Sequence, residues 1–123
     1  MENPNKIKWL PIPEEHDYVA AVSYLSLIYE ETHAISVVEK LKQSLVVEFK
    51  AKDIFRASSL SLLGLSNKRI IKDHKKIQDG VSLSPILLHR DSVNGKVIIA
   101  DGYHRLCAVY SFDEDALIPC KIV

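Results

Sequence analysis

Hydrophobic residues in the first part of the chain recur every three or four positions, which is the spacing of one face of an α-helix. Pro13 is predicted to open a first helix, because proline suits a first helical position and the acids after it complement the helix dipole. A second helix is predicted over residues 32–43. Residues 1–12 lack this spacing and are predicted to form an extended arm. The residues expected to face inward from the two helices are Tyr18, Val22, Leu25, Ile28, Tyr29, Ile35, Val38 and Leu41.

The middle of the chain contains one extended segment followed by two helical ones. Residues 45–49 include adjacent valines, which favour a strand. Residues 51–58 return to a helical pattern. A further helix is predicted from Ser66, a suitable N-cap, to Gln78, with Gly80 beyond its end. Its apolar side is expected to consist of Ile70, Ile71, His74 and Ile77.

The last third contains three apolar segments of strand length and one helical segment. Residues 83–89 and 96–100 are predicted to be strands, joined by a turn whose Asn94-Gly95 pair is typical of hairpins. A helix follows, and residues 117–123 are predicted to be a closing strand. Helices interspersed with strands and one hairpin predict an α+β (mixed α/β) fold with a small mixed sheet.

Composition changes this picture little, because 47% of the residues are apolar and 26% are charged, as in other globular proteins. All 123 residues are expected to form a single domain. Sixteen basic residues balance sixteen acidic ones, so a nucleic-acid contact would need a local basic patch. No apolar run reaches the roughly 18 residues of a membrane span and the N-terminus lacks a signal-like core, so we expect a cytoplasmic protein with no membrane partner. Cys107 and Cys120 are expected to be reduced core residues.

The strongest candidate for a functional site is the turn at Asp101-Gly102. A buried strand leads into it, and a helix that carries Tyr103, His104 and Arg105 in its first turn leads out. Such a turn directs free backbone N–H groups and the positive end of the helix dipole at one point, where an anion such as phosphate binds well. Arg105 can add a bidentate contact to the anion. The structural alternative is that Asp101 caps the helix, His104 packs at its end and Arg105 pairs with an acid.

A cluster of acids around His16 is a second candidate. Glu14, Glu15 and Asp17 could form a metal or acid–base site with His16. Consecutive helical residues point in different directions, so at most two of the four can share a site. The helix dipole also explains why acids gather at a helix start.

A basic stripe lies on the helix predicted to end at Gln78. Lys68, Lys72, Lys75 and Lys76 fall mainly on the side opposite its apolar residues. Such a stripe can contact the phosphates of a nucleic acid, whereas a solvated helix face diluted by acidic residues is the alternative.

Three segments of the second half resemble the N-terminal domain of the ParB family and the sulfiredoxin fold that shares its architecture. Residues 83–88 (LSPILL) match its proline followed by an apolar strand, residues 100–106 (ADGYHRL) match its Asp-Gly-His-His-Arg-type box, and residues 118–123 (IPCKIV) match its closing strand. The resemblance implies a core at residues 45–123, preceded at residues 1–44 by an arm and two extra helices. More narrowly, the chain is similar to short, stand-alone bacterial ParB-like proteins of unassigned function.

The resemblance implies a phosphate site at the start of the helix that follows the box, where members of the family bind ATP or CTP. Gly102 would let the backbone approach a phosphate, and Arg105 would contact it directly. The neighbouring wall would come from the segment before the second strand. The residues expected to bind the nucleotide or phosphate are Gly102, Tyr103, His104, Arg105, Ser84 and Pro85.

The resemblance also extends to chemistry, since some members hydrolyse the nucleotide, some phosphorylate a small molecule and others have been called nucleases. A Mg²⁺-dependent NTPase or small-molecule kinase is therefore one expectation, with His104 as a base and Asp101, or Glu48, holding Mg²⁺. Tyr103 stands where sulfiredoxins carry their reactive cysteine, so we do not expect their reductase chemistry. The box also lacks the arginine-rich pattern of partitioning ParB proteins, so we do not expect centromere binding.

Two other classes of function stay open. The lysine stripe could make the protein a nucleic-acid-binding or nuclease-like module. The helices between Tyr18 and Leu41 could form a protein-interaction surface or a homodimer without catalysis.

Overall fold

A computed structural model describes residues 6–64 and 66–123, so residues 1–5 of the predicted arm lie outside the described residues. The order of helices and strands is the predicted one, and the α+β class is confirmed. None of the helices in these two ranges is both long and apolar enough to cross a membrane. The elements are α1 (Glu15–Leu25), α2 (Glu31–Gln43), β1 (Val47–Lys50), α3 (Ala51–Ser58), α4 (Lys68–Gln78), β2 (Ile86–Asp91), β3 (Lys96–Asp101), α5 (Tyr103–Phe112) and β4 (Leu117–Ile122).

The four strands form one mixed sheet in the order β1-β4-β2-β3. β2 and β3 are the predicted antiparallel hairpin, closed by a short 3-10 turn at Ser92–Asn94 and by Gly95 with a φ of 65°. α5 then carries the chain back across the sheet, so that β4 lies parallel to β2 and antiparallel to β1. β1 and β3 are therefore the two edges of the sheet.

Each face of the sheet is covered by helices and has its own hydrophobic core. α3, α4 and α5 cover one face, where both cysteines are buried and free, which confirms their prediction as core residues. Burial raises the pKa of Cys120 to about 12, so its thiol stays protonated. α1 and α2 cover the other face, where Tyr18 and Leu25 pack against Leu87 and Ala100.

Two helix starts differ from the prediction. Ser66 is not the N-cap of α4, because the side chain of Asn67 accepts the backbone N–H groups of Arg69 and Ile70 at 3.0 and 3.4 Å. Pro13 lies just before Glu14, the N-cap of α1, rather than at its first helical position.

Several predicted inward positions are exposed. Ile28 lies in the turn after α1, and Ile35 lies beside the buried stripe of α2 rather than in it. Ile71 is likewise exposed beside the buried Ile70. The first strand covers Val47–Lys50 instead of residues 45–49, and all four of its residues are exposed because it forms an edge of the sheet.

Candidate functional site

The predicted turn between β3 and α5 depends on Gly102. Its φ of 109° lies in the left-handed region that residues with a Cβ rarely adopt. A Cβ at this position would also stand 2.8 Å from Cγ1 of Ile86 and 3.0 Å from Nη2 of Arg105. Both the backbone angle and the close neighbours therefore favour glycine at this corner.

The N-terminus of α5 has no side-chain cap. Gly102 occupies the N-cap position, so the alternative in which Asp101 caps the helix is wrong. The first intrahelical bond runs from the Leu106 N–H to the Gly102 carbonyl at 2.9 Å, which leaves the N–H groups of Tyr103, His104 and Arg105 without an intrahelical acceptor. No acidic side chain in the first turn offsets the helix dipole.

The residues that carry these N–H groups border a polar cleft between α4 and the start of α5. The cleft encloses about 380 Å³, within the range of small-molecule sites. α4 contributes Arg69, Lys72 and Lys76, and Arg105 adds a fourth cation on the opposite side. Among the residues that the structure describes, two carboxylates, those of Asp73 and Asp101, line the same cleft, so its charge favours an anion.

Arg105 is the centre of a partly buried ion cluster at the edge of the cleft. Its Nη2 lies 3.0 Å from Asp101 Oδ2 and donates at 3.3 Å to the carbonyl of Pro85. Its Nη1 lies 3.7 Å from Oδ1 of Asp17, which is only 2% exposed. Arg105 thus pairs with acids, as the structural alternative held, and one of them comes from α1.

Burial governs the protonation of Asp101. It raises the pKa of this carboxyl to about 6, although the charge of Arg105 acts in the opposite direction and the neighbouring Asp17 adds to the rise. The buried Nε of Arg105 has no hydrogen-bond partner within the described residues. Two carboxyl groups around one guanidinium thus hold Arg105 in place at the base of the cleft.

His104 and Tyr103 lie at the side of the cleft with different partners. Burial lowers the pKa of His104, with Arg69 adding to the effect and Asp73 opposing it, so the imidazole is neutral at pH 7 and can accept a proton. The Tyr103 hydroxyl donates to the carbonyl of Ser61 and fixes the loop between α3 and α4 to the site.

Ser84 and Pro85 do not line the cleft in the structure. The buried Ser84 hydroxyl donates to Oε1 of Glu14 at 3.1 Å, and Pro85 contributes its carbonyl to Arg105. Pro85 thus contacts the ion cluster through its carbonyl, whereas Ser84 contacts the start of α1.

The four predicted lysines divide into two groups. Lys72 and Lys76 line the cleft, whereas Lys75 borders a separate depression and Lys68 is exposed at the start of α4. Sequence reasoning missed Arg69, although it stands three and seven positions before Lys72 and Lys76 and so shares their helix face. It also missed the contact of Asp17 with the site, for which the sequence carries no signal.

The acidic cluster around His16 is a helix start rather than a metal centre. Oδ2 of Asp17 accepts the backbone N–H of Glu14 at 2.9 Å, and His16 lies 3.4 Å from Glu14 and 3.5 Å from Asp17. The two described ranges contain no group of three or more histidines, cysteines or acids that could hold a metal ion.

Asp101 and Glu48 cannot form a metal site together, because β3 and β1 are opposite edges of the sheet. Asp101 is also engaged by Arg105, so the residues described do not fit a Mg²⁺ ion held by protein carboxylates alone. The role of Asp101 toward Mg²⁺ stays a prediction.

Comparisons of the chain with models of protein families, with curated proteins and with solved structures find no match. The fold is therefore that of an α+β protein with a mixed four-stranded sheet. Its candidate site is a polar, cation-lined cleft at the start of α5.

Proposed function

We propose that this protein binds a phosphate-bearing small molecule, with nucleotides as the first candidates, in the cleft between α4 and α5. The observation that carries the proposal is the coincidence of an uncapped helix N-terminus with Arg69, Lys72 and Lys76 across the same cleft. Backbone N–H groups supply directional hydrogen bonds to an anion, and the three cations supply charge.

The ion cluster gives Arg105 a positioning role in this proposal. Asp17 and Asp101 already balance much of its charge, so Arg105 shapes the base of the cleft while the cations of α4 attract the ligand. The resemblance to the ParB and sulfiredoxin-like proteins supports ATP or CTP as ligands, because their box corresponds to this corner.

Catalysis is an extension of the same proposal. A neutral His104 beside the cleft can take a proton from water or from a hydroxyl group that attacks a phosphate, as an NTPase or a small-molecule kinase requires. Because His104 can act only on a bound substrate, turnover should be measured with the nucleotide that binds.

Isothermal titration with ATP, CTP, GTP and inorganic phosphate tests the binding site. The Lys72→Ala/Lys76→Ala variant should bind the preferred ligand at least about tenfold more weakly, because each lysine contributes a charge-assisted contact. Lys68→Ala/Lys75→Ala is the matched control, because it removes two lysines from the same helix outside the cleft. Equal losses in the two variants, or no saturable binding by the wild type, would contradict the proposal.

Nucleic-acid binding is the second candidate, because Lys68 and Lys75 extend the exposed basic surface of α4 beyond the cleft. A longer polyanion could contact both groups of lysines, and its affinity should then fall steeply with salt. The Lys68→Ala/Lys75→Ala variant separates the candidates, since it should weaken nucleic-acid binding and leave nucleotide binding unchanged.

A further inference from the structure

β1 presents an open, exposed edge of the sheet. Within the described residues it pairs only with β4, and each of its four residues is exposed. We propose that this edge pairs antiparallel with β1 of a second copy of the chain, about a two-fold axis at Phe49. The proposal concerns a different surface from the cleft and does not depend on ligand binding.

The ladder with β4 determines which backbone groups are available. The Ala51 N–H donates to the Ala116 carbonyl at 2.9 Å, on the register that pairs Phe49 with Ile118. Hydrogen-bonded residues alternate along an antiparallel pair, so every second residue counted back from Ala51 bonds to β4. The backbone N–H and C=O groups of the residues between them, Glu48 and Lys50, therefore point away from β4. Lys50 is the N-cap of α3, so its carbonyl oxygen also accepts the first hydrogen bond of that helix. The oxygen has a second lone pair that can accept a hydrogen bond from a partner strand.

Charge selects the register of the two copies. With the axis at Phe49, Glu48 of each copy lies opposite Lys50 of the other, and these pairs exchange the outward backbone hydrogen bonds. An axis at Glu48 would instead place two glutamates directly opposite each other, which is unfavourable. The strand is therefore complementary to itself in charge at the register that uses its outward groups.

Apolar side chains at this edge support the same interface. On the face of the sheet that α3 covers, Phe49 is 37% exposed and Val47 is 40% exposed. On the opposite face of the sheet, Leu117 is 52% exposed. In the proposed register the two Phe49 side chains form a cross-strand aromatic pair. Charged residues on a short edge strand can also prevent association by repelling a second strand. Here the glutamate of each copy would face the lysine of the other, so the charges favour association.

Sedimentation equilibrium of the full chain tests the proposal through charge reversal. The wild type should show a species of twice the 13.9 kDa chain mass. Glu48→Lys and Lys50→Glu should each dimerise at least about tenfold more weakly, because each places like charges opposite each other twice. An equimolar mixture of the two variants should regain dimerisation, as should the double variant, since both restore opposite charges.

A monomeric wild type would overturn the proposal, as would a dimer that the single reversals do not weaken or that the mixture does not restore. Cross-linking provides a second measurement. Two cysteines from Phe49→Cys should form a disulfide across the axis under mild oxidation, because such non-hydrogen-bonded pairs bring the Cα atoms to about 4.5 Å. Val93→Cys, in the hairpin turn and 97% exposed, is the control and should not cross-link selectively. Equal cross-linking of both would contradict the register.

Discussion

Gly102 holds a left-handed backbone angle, and a Cβ added to it would clash with Ile86 and Arg105. Gly102→Ala should lower the free energy of unfolding by roughly 2–4 kcal/mol, because it adds both backbone strain and a clash. Gly64→Ala is the control, since a Cβ there meets no described atom within 4 Å. Urea unfolding of the two variants measures the difference, and equal stabilities would show that the corner tolerates a side chain.

Asp101 couples stability to pH. Its pKa is raised from 3.8 to about 6 in the folded protein, so between these values the folded state binds a proton that the unfolded chain has released. This contribution is fully present below about pH 4 and is lost as the pH rises through 6, with an upper limit of about 3 kcal/mol. The stability of the wild type relative to Asp101→Asn should therefore decrease over that range.

Urea unfolding of both proteins between about pH 4 and pH 7 checks this sign. The lowered pKa values of His89 and His104 act in the opposite direction, since a histidine that loses its proton on folding makes stability rise with pH. Their effect is largely common to both proteins and cancels in the difference. Parallel stability curves would mean that Asp101 does not titrate in this window.

Individual residues of the site could be predicted only in part from the sequence. The polar corner at residues 101–105 was predictable, because a glycine and polar residues interrupt two apolar segments. The pairing of Arg105 with Asp17 was not, because a contact between distant positions leaves no local pattern. An isolated sequence shows that an arginine is present but not which acids share its charge.

At the scale of elements, hydrophobic spacing predicted the order of helices and strands, and α3 has the predicted bounds. The errors lie at boundaries, where neighbouring residues have similar propensities. Ser66 and Asn67 are both suitable N-caps, and only the position of the Asn67 side chain, which accepts two backbone N–H groups, distinguishes them. Helix faces were misjudged by one position, which is enough to expose Ile35 and Ile71.

The cap of α4 matters because this helix carries the cations of the cleft. Asn67→Ala should lower the free energy of unfolding by about 1 kcal/mol, since two N–H groups lose their acceptor. Gln78→Ala, at the exposed other end of α4, should change it by less than about 0.5 kcal/mol. Thermal unfolding of the two variants compares them, and a Gln78 effect as large as that of Asn67 would argue against the cap.

At the scale of the whole molecule, the ion cluster joins the two layers of helices. Asp17 belongs to α1 on one face of the sheet, and Arg105 belongs to α5 on the other. The first two helices cover one face of the sheet, since their core includes Leu87 and Ala100 of the strands. Pattern alone could not predict that β4 lies between β1 and β2, and so could not show that Glu48 and Asp101 occupy opposite edges.

A phosphate-bearing ligand in the cleft should contact the backbone at the start of α5. Nuclear magnetic resonance of ¹⁵N-labelled protein, titrated with ATP, CTP and inorganic phosphate, tests this contact. Saturable shifts concentrated at residues 103–105 and at Arg69, Lys72, Asp73 and Lys76 of α4 are the predicted result, because those residues border the cleft. An absence of saturable shifts, or shifts concentrated at β1 or another distant surface, would contradict the claim.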